Sequence, residues 1–166
     1  SHWWNISAPY APSPALVGDI EADVCIVGGG INGVSSAYHL KKLDASISVA
    51  LLETETVGYG ASGRNAGQII MKLGGTSVEK LHDTFGPERG GAAWSYVHRG
   101  MDMIAALHAE EGINCDFAQT GTLHAALRVD GNKHIEDALK LIEKMGHGAY
   151  VSYVDEAQVE RELKSP

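Results

Sequence analysis

Only two cysteines occur in 166 residues, Cys25 and Cys115, and they form neither a C-x-x-C pair nor a closely spaced disulfide framework. Each is expected to be a buried thiol within its own element. The eight histidines, at positions 2, 39, 82, 98, 108, 124, 134 and 147, fall into no H-E-x-x-H or other ligand spacing, so no metal centre is expected. Basic residues are scarce as well: 13 Lys and Arg stand against 21 Asp and Glu, a formal net charge of −8. A nucleic acid or an anionic membrane would call for clustered positive charge, so neither is expected as a partner. No apolar run reaches the roughly 20 residues of a membrane span, and the amino terminus has neither a charged n-region nor an apolar h-region. These absences lead to the expectation of a cytoplasmic metabolic protein.

Glycine, by contrast, is plentiful, with 20 residues, and its placement is informative. The apolar run Ala22 to Val27 leads directly into Gly28-Gly29-Gly30-Ile31-Asn32-Gly33, a G-x-G-x-x-G turn. A helical pattern follows to Leu43, and a second apolar run, Ile47 to Leu52, ends in Glu53, twenty residues after Gly33. Strand, turn, helix, strand and acid in this order predict a right-handed parallel βαβ unit that binds a dinucleotide. Gly28 permits the tight turn, Gly30 removes a Cβ from the path of a pyrophosphate, and Gly33 lets the helix approach the sheet. The first N–H groups of the helix, around Ile31 and Asn32, face the pyrophosphate, where the helix dipole favours negative charge. Glu53 suits ribose hydroxyls and repels a 2′-phosphate, which disfavours NADP. The small face of the helix, Gly33, Ser36, Ala37 and Leu40, allows close packing on the sheet. The turn alone fits NAD and FAD equally.

A second segment, Gly58-Tyr59-Gly60-Ala61-Ser62-Gly63-Arg64-Asn65-Ala66-Gly67-Gln68, has little apolar periodicity and four glycines. It reads as a ligand loop: bare backbone amides, short polar groups at Ser62 and Asn65, and a guanidinium at Arg64 suited to phosphate or carboxylate.

Elsewhere, Trp3, Trp4, Pro9, Tyr10, Pro12 and Pro14 predict an extended arm over residues 1–20 that packs its tryptophans on the domain or on a region outside this chain. Val78 to Phe85 predicts a short helix, and Pro87 opens a long one to about Glu111 with a buried stripe of Ala93, Val97, Gly100, Ile104 and Leu107. Gly112 ends it. Cys115 to Gln119 and Thr122 to Leu127 are expected to be strands around the Thr120-Gly121 turn. Ile135, Ala138, Leu139, Ile142 and Met145 define another amphipathic helix stopped by Gly146. A strand from Ala149 to Val154 is expected next, then a short helix opened by an Asp155/Gln158 capping box.

Taken together, Val24 to Gly33, Leu51-Leu52-Glu53, Gly60-Ala61-Ser62-Gly63-Arg64-Asn65-Ala66-Gly67, Gly112-Ile113-Asn114-Cys115-Asp116 and Thr120-Gly121-Thr122-Leu123 resemble the D-amino-acid-oxidase-like superfamily of FAD-dependent oxidoreductases. The nearest likeness is to its gamma-glutamylputrescine oxidoreductase-like branch, with glycine and sarcosine oxidases among the relatives. The resemblance implies an α/β fold, a Rossmann-like FAD-binding domain of the glutathione-reductase type. That domain would occupy 21–114 after the arm, with the start of an α+β substrate domain in 115–166. It implies FAD as cofactor, with Gly28, Gly30, Ile31, Asn32 and Gly33 at the pyrophosphate and Glu53 and Thr54 at the adenosine ribose. Ser62, Arg64, Asn65, Ala66, Gly67 and Gln68 would line the pyrophosphate, ribityl chain and near edge of the flavin. The implied reaction oxidises a C–N bond of a small amine or amino acid to an imine, with hydride transfer to flavin N5.

Members of the superfamily continue well beyond the stretch resembled here. The resemblance puts their substrate-orienting groups largely in that later half, so no catalytic residue is named. The expectation is an amino-terminal portion that a complementary polypeptide could complete. Two other readings stay open from the residues alone: an NAD-dependent dehydrogenase, and a noncatalytic FAD-binding or interaction fragment.

Overall fold

The computed structural model describes residues 2–7, 10–126 and 131–163. The chain divides into two compact units, Ser1–Gln68 and Ile69–Pro166.

The first unit begins with a helix where an extended arm is expected. Residues His2–Ile6 form α1, and Ser7 closes it by donating its N–H and its hydroxyl to the Trp3 carbonyl at 2.9 and 2.6 Å. The prolines that argue for extension start only at position 9, so nothing in residues 2–6 opposes a helical turn. Residues 10–17 do lack helix and strand.

Strand β1 (Val24–Val27), helix α2 (Ile31–Leu43) and strand β2 (Val49–Leu52) then form the expected parallel unit, with Val24 opposite Val49 and Val27 opposite Leu52. Both strands start two residues later than their apolar runs. At their entry, Asp23 accepts the N–H and hydroxyl of Ser48 at 2.8 and 2.6 Å while Ser48 Oγ accepts the Asp23 N–H at 2.9 Å. This reciprocal pair fixes the register, and the Ser48 hydroxyl and N–H hold the Asp23 carboxyl below its ordinary pKa.

Helix α2 packs on both strands. Its last turn carries Lys41 and Lys42, favourable at the negative end of the helix dipole, and the Lys41 ammonium also donates to the carbonyls of Ala45 and Ile47. Gly33 is the contact point with the turn: an added Cβ would run into the Gly28 carbonyl oxygen and crowd Ile26. On the face of β1 turned away from α2, Val27 is 85% exposed. Cys25 shares that face, and both cysteines are exposed rather than buried. Strand alternation explains Cys25: it sits at an odd step from the covered Val24 and Ile26.

The second unit is built on α3 (Val78–Glu111), which is broken at Gly86 by φ 72° and ψ 173° and resumes at Pro87. This matches the short helix followed by a long one, since Pro lacks an N–H and suits a helix start. Ser77 Oγ caps the first part by accepting the Lys80 N–H, and Gly112, at φ 59°, ends the second. Helix α4 (Gly131–Lys144) packs against α3, and Gly146 at φ 84° turns the chain just after Met145.

Leu81, Trp94, Ile142 and Met145 form the core, flanked by Met71, Leu73, Val78, Ala93 and Val151. The buried line on α3 is thus Gly90, Gly91 and Trp94, whereas Ile104 of the expected stripe is 37% exposed. The reason is the partner: Met145 approaches so closely that a Cβ on Gly91 would strike its carbonyl oxygen.

Three strand expectations fail. Residues 115–126 contain no strand, Asp116 adopting φ 52°, a left-handed conformation that interrupts an extended run; Leu127 lies outside the described residues. Gly148–Tyr150 is a 3₁₀ turn and 151–155 is unpaired, since alternation makes a strand only where a neighbour accepts its hydrogen bonds. Helix α5 (Glu156–Leu163) does start at Asp155, whose carboxylate accepts the Gln158 N–H at 2.8 Å. Among the described residues, no helix is long and apolar enough to cross a membrane and no cluster of three or more His, Cys, Asp or Glu could hold a metal.

Candidate functional site

The chain reverses from β1 into α2 through Gly28, at φ 100°, whose N–H donates to the Leu52 carbonyl at 2.7 Å. Gly29, the one buried glycine of the turn, donates its N–H to Glu53 Oε2 at 2.6 Å and accepts the Gly58 N–H at 2.9 Å. Glu53 Oε1 accepts the Glu55 N–H at 3.1 Å. Backbone N–H groups of Glu55, Gly29 and Thr54 converge on this carboxylate and hold its pKa below the ordinary 4.5. Glu53 is therefore a brace for the turn as well as a group free to accept further hydrogen bonds, because a carboxylate offers about four acceptor positions.

The start of α2 has no side-chain cap from Gly30. A cap arrives instead from the second loop: Ser62 Oγ accepts the Ile31 N–H at 2.9 Å. Ile31 is expected to present that N–H to a phosphate, and in the structure Ser62 takes it. The two glycine-rich segments, about thirty residues apart in sequence, thus meet at one point. The Gly30 backbone lies so near that a Cβ there would come within 3.1 Å of Ser62 Oγ.

The loop itself turns through a 3₁₀ segment, Ala61–Gly63. Asn65 organises it from within. Its amide nitrogen donates to the carbonyls of Ala61 and Ser62 at 3.2 and 2.8 Å, and its amide oxygen accepts the Gly67 N–H at 2.8 Å. Arg64 turns back on its own loop, donating from Nε to the Tyr59 carbonyl at 2.6 Å with its guanidinium 4.4 Å from the Tyr59 ring centroid. Ala66, Gly67 and Gln68 are exposed at the end of the loop, and Thr54 is exposed beyond β2. Gly28, Gly30, Ile31, Gly33, Glu53 and Ser62 are drawn together; Asn65 is bound within its loop, and Arg64 is directed to Tyr59.

Sequence reasoning passed over Gly29 and Tyr59. The middle glycine of a G-G-G run carries no signal of its own, and Tyr59 looks like loop filling until Arg64 is seen over its ring. The role of Trp3 was half visible, since paired tryptophans need a surface; Trp3 Nε1 donates to the Asn65 carbonyl at 2.8 Å.

A parallel βαβ unit, a glycine turn, an acid at the end of β2 and a second glycine loop capping α2 define a mixed α/β architecture of the nucleotide-cofactor type. The comparisons with known proteins give the family. The sequence profile of the DAO family, FAD dependent oxidoreductase, matches residues 23–165, and the chain belongs to that family. Its fold is therefore the family's FAD-binding, Rossmann-like one, and its cofactor is FAD. Among curated proteins, the chain is 31% identical to gamma-glutamylputrescine oxidoreductase of Escherichia coli (strain K12) over 156 residues, 94% of this chain and 35% of that protein. It is also 31% identical to 4-methylaminobutanoate oxidase (formaldehyde-forming) of Paenarthrobacter nicotinovorans over 101 residues, 61% of this chain and 10% of that protein. The chain spans about a third of the length of the first of these relatives. No solved structure matches it.

Proposed function

We propose that the protein oxidises a C–N bond of a small amine or amino acid to an imine, and that this chain supplies the wall holding the pyrophosphate and adenosine of FAD. The observation that carries the reading is the bond from Ile31 N–H to Ser62 Oγ, which brings both glycine segments to the start of α2. The residues present fit the cofactor there. Gly30 leaves bare backbone where a side chain would crowd Ser62. The N–H groups of Asn32 and Gly33 point from the positive end of the helix dipole. Ser62 accepts from Ile31 with its oxygen and keeps its hydroxyl hydrogen for a phosphate oxygen.

Gly28 shapes the turn, and Glu53, with Thr54 beside it, accepts the ribose hydroxyls through lone pairs that the backbone leaves open. Arg64, Ala66, Gly67 and Gln68 border the path toward the ribityl chain and flavin, with Asn65 holding their loop in shape. FAD, when bound, supplies the hydride acceptor at flavin N5. The protein groups bind and orient it, which is where a protein contributes in cofactor chemistry. The domain division that accompanies this reading is an arm in 1–20, the FAD-binding part in 21–114 and the start of a substrate domain in 115–166. The names of the two relatives, one acting on a putrescine derivative and one on a methylamino acid, support an amine substrate.

The test is the absorption spectrum of the purified protein, with the released chromophore identified by chromatography after denaturation. FAD is expected, and its visible band should bleach anaerobically with an amine but not with the alcohol of the same skeleton. A chain that takes up no flavin even after incubation with FAD would overturn the assigned wall, and bleaching by the alcohol would overturn the C–N assignment.

A further inference from the structure

The aromatic side chains of α1 lie against the second glycine loop. Trp3 Nε1 donates to the Asn65 carbonyl at 2.8 Å, and the Trp3 ring covers Gly67, where an added Cβ would come within 3.1 Å of Trp3 Cζ2. Trp4 Nε1 stands beside Gly63, 3.3 Å from where a Cβ would be. The loop is thus held from inside by the Asn65 side chain and from outside by two indoles. Both contacts need glycine: Gly67, at φ 72°, and Gly63, whose Cβ would also collide with the Gly58 carbonyl oxygen. Trp3 and Trp4 remain 39% and 37% exposed and belong to no core, so this loop is what their burial serves. His2, Trp3, Arg64, Asn65 and Ala66 together border an open cavity of about 430 Å³.

We infer that α1 is a strap that sets the conformation of residues 61–67, with Trp3 as a positioning residue for cofactor binding; the cofactor half of this rests on the flavin reading above. An indole N–H and a flat ring laid on a glycine backbone restrict the loop without entering the turn at Gly28 to Gly33. A loop ordered before binding loses less entropy when a ligand arrives, so the strap raises affinity without touching the ligand.

Trp3→Phe keeps a ring and removes the N–H donor, while Trp3→Ala removes both. In the cofactor-free chain, trypsin cleavage after Arg64 should be about three- to tenfold faster for Trp3→Phe, the scale of one side-chain hydrogen bond, and faster still for Trp3→Ala. Cleavage after Arg99, in the other unit, should be unchanged. FAD affinity should fall by a similar factor in both variants. Unchanged cleavage after Arg64 in both variants overturns the strap. Faster cleavage with unchanged FAD affinity overturns its link to the cofactor, and tighter FAD binding by Trp3→Ala would make α1 a plug rather than a strap. If the parent chain binds no FAD, the flavin reading falls and the cleavage rates alone decide the strap.

Discussion

Glu53 Oε2 accepts the backbone N–H of Gly29 at 2.6 Å, so the acid at the end of β2 shapes the turn at the end of β1. The acid proposed to accept the ribose hydroxyls thus also fixes the backbone of the turn proposed to meet the pyrophosphate.

Glu53→Gln removes the charge while keeping one acceptor oxygen. FAD binding should weaken by roughly tenfold, the scale of one hydrogen-bond difference, as read by flavin fluorescence titration. Because the Glu55, Gly29 and Thr54 N–H groups depress the Glu53 pKa, its charge persists below the ordinary 4.5. Its contribution is present above that value and is lost as pH falls through the lower folded pKa. The gap between parent and variant should accordingly stay open down to pH 4.5 and close only below it; a gap that closes near neutral pH would contradict this role.

Gly33→Ala drives a methyl group into the Gly28 carbonyl. Helix α2 must lift from the turn, at a cost of about 1–3 kcal/mol typical of overpacking. Denaturant unfolding should show that loss, together with FAD binding reduced beyond what Gly60→Ala causes, since a Cβ at Gly60 meets nothing within 4 Å. Equal behaviour of the two variants would argue that the helix does not depend on this approach.

Gly91→Ala places its methyl against the Met145 carbonyl and disturbs the carbonyl that accepts His147 Nε2–H at 2.8 Å. The expected destabilisation is again about 1–3 kcal/mol, confined to the unit built on α3 and α4. FAD affinity should not move. An unfolding midpoint unchanged from the parent would show that α3 does not depend on this close approach to Met145.

His98 stacks on His147 with centroids 5.5 Å apart and meets the tilted Tyr150 ring at 3.9 Å, and its Nε2 is buried without a hydrogen-bond partner. Burial lowers its pKa below the ordinary 6.5, helped by the neighbouring His147 and opposed by Asp102. The unfolded chain then binds a proton more readily than the folded one, so stability is full above pH 6.5 and falls as pH drops below it toward the folded value. In a Trp3→Phe/Trp4→Phe background, where Trp94 is the remaining tryptophan, the thermal midpoint read by fluorescence should drop between pH 7.5 and about 5.5, across the histidine range. His98→Gln should flatten that drop; an equally steep drop in the variant would remove His98 from the account.

Local chemistry was legible wherever one residue type at one position suffices. The Gly28 turn, the helix start at Pro87, the stops at Gly112 and Gly146 and the cap at Asp155 all appear where composition put them, because backbone conformation at those points depends on the residue itself. The parallel pairing of β1 and β2 was legible for the same reason, since a short apolar run on each side of a helix leaves few topologies. The strands expected at 115–127 and 149–154 were not decided locally: a strand exists only with a partner, and pairing is a property of the tertiary structure. The exposure of Cys25 and the shift of the α3 stripe to Gly90, Gly91 and Trp94 have the same origin, for burial depends on which neighbour arrives.

The candidate site divides along that line. Sequence by itself determined that two glycine-rich segments and an acid were present, and it placed the chain with flavoproteins through their residues. Only the tertiary structure decided that Ser62 caps Ile31, that Glu53 braces Gly29 and that Trp3 lies over Gly67. These contacts join residues 24 to 64 positions apart, and no propensity or spacing rule acts over such distances. They arise when packing of α2 on the sheet and of α1 on the loop brings hydrogen-bonding groups within about 3 Å, the range at which a hydrogen bond forms.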